Sequence, residues 1–340
     1  MQRAPDGLFV LASLTTVPSR SSSLHMIVKA LEKQTRTPDV LTIIAPEIYH
    51  TWKEEHGHGP SVVAEWMTAQ AYSFSELVKR AVIPLEIFRP THDYGPAMKV
   101  IGALQYLQSL PAARRPLANH TLIVTVEDDM LMPPWLVANF VRWSLRYPEA
   151  ALTLVGCHAE YSNSMHSCVS HGCGCTNFTG LVPSSRRDSR SVPPCSARKV
   201  NRWFSWAGTA LRPEFFDDWY WNVAIGFLGG NATVNDDTFH SAYLSRQRVP
   251  ILVLPVPYSG PGSGVNHQLL HRSKTSAWLN HSKHDDSEVK AREIRLLHRF
   301  VGTGLAERAP PTETVCAGKW EMADDAKECE SKAVPKECRG

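Results

Sequence analysis

LIVTVEDDMLMPP, Leu122 to Pro134, is the stretch from which the fold is read. Leu122, Ile123, Val124, Thr125 and Val126 form an unbroken run rich in β-branched residues, the pattern of a central parallel strand covered on both faces. Glu127, Asp128 and Asp129 end it. Acidic residues are poor strand formers, so the carboxyl end of this strand is acidic. Ligands of open α/β sheets bind beyond the carboxyl ends of strands. Clustered carboxylates repel unless a positive charge lies between them, and a hard divalent cation bound through oxygen is the usual answer. Pro133 and Pro134 are then expected to restart the chain as a helix, with proline in its first turn.

Upstream, Leu8 to Thr15 reads as a first strand, leading into Thr16-Val17-Pro18-Ser19-Arg20. Ser22 or Ser23 is placed to cap a helix whose apolar stripe is Leu24, Ile27, Val28 and Leu31. Val40 to Ala45 is a second strand, and so short a strand–helix–strand connection makes a right-handed parallel unit. Val62 to Lys79 reads as helical after the loop Gly57-His58-Gly59-Pro60, and Pro84 to Phe88 is a third strand. In THDYGPAMKVIGALQYLQ, Thr91 to Gln108, Pro96 marks a helix start, with Val100, Ile101, Leu104 and Leu107 as the buried stripe. Lys99 lies off that stripe, one turn in. A helix N-terminus with a neighbouring lysine suits a phosphate, although a solvated lysine on an ordinary helix fits the pattern as well. Because this helix runs into the Leu122 strand, its start is expected near the opposite sheet edge from the acidic turn, and the reach of Lys99 depends on the loop.

Downstream, Trp135 to Tyr147 reads as a helix and Ala151 to Val155 as a strand. From Cys157 to Lys199 the pattern breaks. Five cysteines (Cys157, Cys168, Cys173, Cys175, Cys195) and three histidines (His158, His166, His171) fall here in no tetrahedral zinc spacing, so disulfides stapling an insertion are expected. Phe204 to Leu211 reads as a strand, and Pro213 starts a short helix. The aromatics between Val200 and Trp221 are core by default, though an indole can also stack on a sugar. The glycine-bearing loop Gly226 to Asn235 precedes Asp236-Asp237 at the head of a helix. Such a pair is an ordinary N-cap pattern unless it does chemistry. Ile251 to Val256 is a last strand. His267 and His271 follow in a Gly-rich loop, Asp285 to Val301 makes a charged helix, and 305–340 is a tail holding Cys316, Cys329 and Cys338.

At 340 residues, with 43% hydrophobic and 20% charged residues, the chain can bury a sizeable core. A net charge of +3 does not point to nucleic acid, and no apolar run is long enough to span a membrane. The apolar stretch at the N-terminus is too short for a signal peptide. Sequons at Asn119, Asn177, Asn231 and Asn280, with eight cysteines, fit an oxidising lumen. On that reading an anchor or signal is missing from this version of the chain.

The segments TTVPSR, DYGPAMK, EDDMLMPP and NDDTFHSAYLSRQRV together resemble glycosyltransferases of the GT-A fold, in particular a family with DYGPATK-like and DDD-PP-like stretches. The resemblance spans roughly Leu8 to Val256 without the cysteine-rich insertion. It implies an α/β, Rossmann-like, mostly parallel sheet flanked by helices, in a domain of residues 1–304 with the insertion at 157–199. Glu127-Asp128-Asp129 would be the DxD-type motif holding Mn2+ or Mg2+, with His267 as a further metal ligand. Thr16, Arg20, Tyr94, Lys99 and Asp128 would bind the nucleotide-sugar donor. Asp237, or else Asp236, would be the catalytic base of a hexosyltransferase-like enzyme, as the downstream acidic motif is in inverting members of the fold; whether the outcome is inverting or retaining stays open. The acceptor would be a glycan, glycoprotein or glycolipid, and the compartment the Golgi lumen. Met98 stands where the family has a small polar residue, and Glu127 where it has aspartate, which leaves Asp128 and Asp129 to hold the metal. Two rival readings stand beside this one. A sugar nucleotidylyltransferase would need a glycine-rich loop after the first strand, where TTVPSR has none; a catalytically inactive carbohydrate-binding protein would not need both acidic pairs.

Overall fold

The computed structural model describes residues 6–47, 49, 74–159, 175–180, 197–224 and 236–254. The strands are β1 (Phe9–Thr15), β2 (Val40–Ile44), β3 (Leu85–Phe88), β4 (Thr121–Thr125), β5 (Ala151–Thr153), β6 (Val155–Ala159), β7 (Cys175–Gly180), β8 (Arg198–Val200), β9 (Arg202–Trp203), β10 (Thr209–Leu211) and β11 (Ile251–Val253). The helices used below are α1 (Leu24–Glu32), α2 (Met98–Ser109), α3 (Leu136–Arg146) and α4 (Asp236–Arg246).

The main sheet has the order β3-β2-β1-β4-β10-β5-β11-β8. β3, β2, β1 and β4 are parallel, whereas β10 runs antiparallel between β4 and β5. β11 is parallel to β5, and β8 is antiparallel to β11. The chain winds outward from β1 through β2 to β3, then returns to lay β4 on the other side of β1, so the winding reverses between β1 and β4. In open α/β folds such a reversal marks the crevice beyond the strands' carboxyl ends where ligands bind.

Alternating residues feed two cores. Val10, Ala12, Leu14, Leu122 and Val124 face the layer formed by α1 and α3, while Leu11 and Ile123 face α2 and α4. β4 is buried along its whole length, as its apolar run implies. The stripe Leu24, Ile27, Val28 and Leu31 is the buried face of α1. The α/β, Rossmann-like, mostly parallel sheet expected from the sequence is therefore the fold. Among the described residues no helix is long and apolar enough to cross a membrane.

Local expectations fail in three places. Ser23 makes no side-chain cap; a 3-10 turn, Pro18–Ser23, precedes α1, and the Ser23 hydroxyl turns back to the carbonyls of Arg20 and Asp128. Pro133 and Pro134 lie before α3 rather than in it. Their carbonyls accept from the Gln34 side chain and the Thr35 N–H, which bind this turn to the end of α1. Phe204 to Leu211 is not one strand: a 3-10 turn, Ser205–Ala207, and Gly208 at φ +92° break it, leaving only Thr209–Leu211 extended. Within the expected insertion, β6 continues through Cys157 and pairs antiparallel with β7, which begins at Cys175. Cys168, Cys173, Cys195, the 226–235 loop, His267 and everything after residue 254 lie outside the described residues.

α2 packs closely on the sheet because Gly102 faces Ile44: a Cβ added there would lie 2.5 Å from Ile44 Cγ2 and 3.0 Å from Cγ1. Alanine favours a helix interior by ~1 kcal/mol over glycine, but overpacking of this kind costs roughly 1–3 kcal/mol. Gly102→Ala is therefore expected to lower the unfolding midpoint in urea. In an Ile44→Ala background, where those branches are gone, the same change should be neutral or stabilising.

Candidate functional site

The site collects residues from the turns after β1 and β4, the first turn of α2, the turn before β10 and the start of α4. Thr16, at the end of β1, donates its hydroxyl to Asp128 Oδ2 at 2.8 Å across 112 sequence positions. Arg20, in the turn after β1, donates Nη1 to Asp128 Oδ1 at 2.6 Å and lies 3.6 Å from Asp129 Oδ2. The parallel register of β1 with β4 places these two turns side by side. Both carboxylate oxygens of the buried Asp128 thus have partners, and Thr16 and Arg20 reach the acidic turn by gripping it.

Lys99 is buried, 3% exposed, in the first turn of α2. Its Nζ is paired with Glu127 Oε1, lies 3.2 Å from Asp236 Oδ2 and donates to Ser205 Oγ at 2.9 Å. The expectation that α2 starts at the opposite sheet edge from the acidic turn is overturned. β3 and β4 are parallel, so the helix joining them begins where β3 ends, on the edge where β4 also ends. The lysine that suited a phosphate is instead enclosed by carboxylates, and it fastens the two acidic motifs together. Burial works against its charge, but Asp236, Glu127 and Asp237 outweigh this and raise its pKa. Arg20 is likewise held charged despite burial, chiefly by Asp128.

Glu127, Asp128 and Asp129 each offer a carboxylate oxygen, and these atoms lie within 4.8 Å of one another. An all-oxygen donor set of this charge fits Mg2+ or Mn2+. Asp129 is the member least neutralised: burial first, then the charges of Glu127 and Asp128, push its pKa up to about 6 against the pull of Arg20. A carboxyl group in that position gains from a cation beside it.

Asp236 and Asp237 open α4. The Asp237 carboxylate accepts the Ser205 N–H at 2.8 Å, a contact with a distant segment that helix capping does not require. Burial, followed by the charge of Asp236, raises its pKa to about 7, while Lys99 and Ser205 pull the other way. Beneath the pair, His240 Nδ1 lies 2.9 Å from the Asp236 carbonyl and Nε2 3.0 Å from the Tyr220 hydroxyl. Facing a carbonyl, Nδ1 carries the proton and Nε2 accepts from the phenol. Burial lowers this imidazole's pKa to about 4, so it stays neutral.

The structure thus brings together Thr16, Arg20, Lys99, Glu127, Asp128, Asp129, Asp236 and Asp237. Tyr94 stands apart from these contacts, half-buried and stacked on His92, its hydroxyl pKa raised by burial. Ser205, Ser23 and His240 join the site without any sequence motif that would have announced them. Of the aromatics weighed as sugar platforms, Trp203 is core, and Trp219 has the Arg246 guanidinium over its ring and stacks on Tyr243.

No protein-family model and no curated protein matches the chain. Among solved structures it is similar to a 4-diphosphocytidyl-2C-methyl-D-erythritol synthase, at 10% identity and TM-score 0.37 over 80% of this chain and 96% of that one. It is also similar to an apo UDP-glucose pyrophosphorylase, at 8% and 0.36 over 72% and 89%. A UDP-glucose pyrophosphorylase in complex with UDP-glucose gives 8% and 0.37 over 73% and 90%. The fold assignment rests on the strand order itself.

The raised pKa of Asp237 has a consequence for stability. A carboxyl group near 7 in the folded chain and near 3.8 as a free group binds its proton more tightly when folded. Its contribution is complete below the unfolded value and is lost as pH rises from about 4 to about 7. Urea unfolding across that window is expected to fall less steeply with pH in Asp237→Asn than in the wild type.

Proposed function

We propose that this protein is a metal-dependent glycosyltransferase that moves a sugar from a nucleotide-sugar donor, a UDP-sugar in the first instance, to an acceptor hydroxyl. The observation that carries this reading is the meeting of the Glu127–Asp129 turn with Asp236-Asp237 through Lys99, in the crevice beside β1 and β4. A donor diphosphate needs positive charge on one side of the reacting carbon, and the acceptor hydroxyl needs a base on the other. In the proposed reaction the bond from the anomeric carbon to the phosphate oxygen breaks, the bond to the acceptor oxygen forms, and the nucleoside diphosphate leaves.

Glu127, Asp128 and Asp129 would hold the divalent cation, which supplies Lewis-acid stabilisation of the charge growing on the departing diphosphate. The residues of the chain do the rest. Thr16 and Arg20 fix the Asp128 carboxylate, keeping that ligand oriented. Asp237 takes the acceptor's proton. A base with a pKa near the working pH is the efficient choice, and burial raises the Asp237 carboxyl in that direction. Asp236 is engaged instead by the Lys99 ammonium. Ser205 holds one oxygen of Asp237 through its N–H. The sequons and cysteines support a secretory-pathway lumen as the compartment, with a glycan, glycoprotein or glycolipid as acceptor.

The test uses purified protein with Mn2+ and a panel of UDP-sugars, with UDP release and product mass as readouts. Asp237→Asn keeps the shape and the accepted Ser205 N–H but cannot take a proton, so transfer should fall ~100-fold or more with donor binding retained. Asp129→Ala should lose Mn2+-dependent donor binding. Wild-type transfer by Asp237→Asn refutes the base assignment. Pyrophosphate release from UTP and a sugar 1-phosphate, with no glycosyl transfer, would replace this reading with a nucleotidylyltransferase.

A further inference from the structure

Among the described residues, one ammonium group touches both acidic motifs. Lys99 Nζ is held by Glu127 Oε1, Asp236 Oδ2 and Ser205 Oγ. Its main chain is fixed as well, because its carbonyl accepts the Ser13 hydroxyl of β1 at 2.7 Å. Ser205 closes the circuit: its hydroxyl donates to Glu127 Oε1 at 3.2 Å and its N–H donates to Asp237 Oδ1.

We propose that Lys99 couples the two motifs, so that a divalent cation arriving at the Glu127–Asp129 turn is felt at Asp236 and Asp237. The inference rests on the metal-binding reading of that turn. The arriving cation and the ammonium compete for Glu127, and their like charges repel. A buried ammonium released from Glu127 cannot go to solvent, so it settles on its remaining partners, Asp236 and Ser205. Its charge thereby moves toward the aspartate pair as the turn is loaded. Linkage makes the effect reciprocal: the firmness with which Asp236 holds Lys99 decides how readily Glu127 is released to a cation. Lys99 is a positioning residue here, acting through the carboxylates it touches.

Calorimetric titration of the full chain with MnCl2 tests this without any turnover. Asp236→Asn leaves Lys99 with Glu127 as its one ion-paired carboxylate among the described residues, and Mn2+ affinity should fall by ~5-fold or more, the low end of ordinary coupling between sites. In a Lys99→Gln background, which keeps a donor toward Glu127 and Ser205 without the charge, Mn2+ should bind more tightly than in the wild type. Asp236→Asn should then change that affinity far less. If Lys99→Gln does not fold, the charge-balanced double variant Lys99→Met/Asp236→Asn supplies the comparison, and it should bind Mn2+ more tightly than Asp236→Asn alone. An Asp236→Asn effect of equal size with and without Lys99, or a double variant no tighter than Asp236→Asn, overturns the coupling and leaves the metal reading standing. A wild-type chain that binds no Mn2+ overturns both.

Discussion

The site is organised by one buried charge. Removing an ammonium from water costs several kcal/mol, and only well-placed carboxylates offset it. Lys99 has them on two sides, Glu127 from the end of β4 and Asp236 from the start of α4. The same economy runs in reverse for the carboxylates, since the acidic turn and the aspartate pair would repel each other without the lysine between them. Arg20 performs the equivalent service for Asp128 on the other flank. The crevice can therefore hold a dense cluster of acid groups in a folded chain.

Topology explains why these groups meet. Every parallel strand delivers its carboxyl end to one edge, so the turns after β1, β3 and β4 converge there. β10 runs the other way, and this lets the segment before it, carrying Ser205, arrive at the same edge. An antiparallel strand inside a parallel sheet thus brings in a donor group from its amino end. That N–H fixes Asp237 and that hydroxyl links Lys99 to Glu127.

Much of this was legible in the sequence, for identifiable reasons. The buried β4 run, the α1 stripe and the acidic strand end are local patterns, and local patterns survive folding. What escaped was tertiary. Lys99 looked peripheral because a lysine off the apolar stripe is normally solvated, yet α2 is buried around most of its first three turns. Its partners lie 28 and more positions away, and no periodicity encodes them. The strand expected over Phe204 to Leu211 failed because apolar content cannot reveal a turn made by a positive-φ glycine. Ser205 carries no signature, since a serine between aromatics is as ordinary in a core turn as in a site.

Gly102 gives the crevice a second dependence, on depth. The absence of a side chain there lets α2 settle against Ile44, and Lys99 sits one turn earlier on the same helix. The height of the helix above the sheet is therefore also the height at which the ammonium meets its carboxylates. A backbone raised by a fraction of an ångström at Gly102 would tilt that first turn and draw Nζ out of its enclosure, although nothing in the crevice itself had been altered. Helix seating acts as a tuning screw for the charge cluster, so a change in the β2–α2 contact would reach Lys99 and its carboxylates as well as the packing of the sheet.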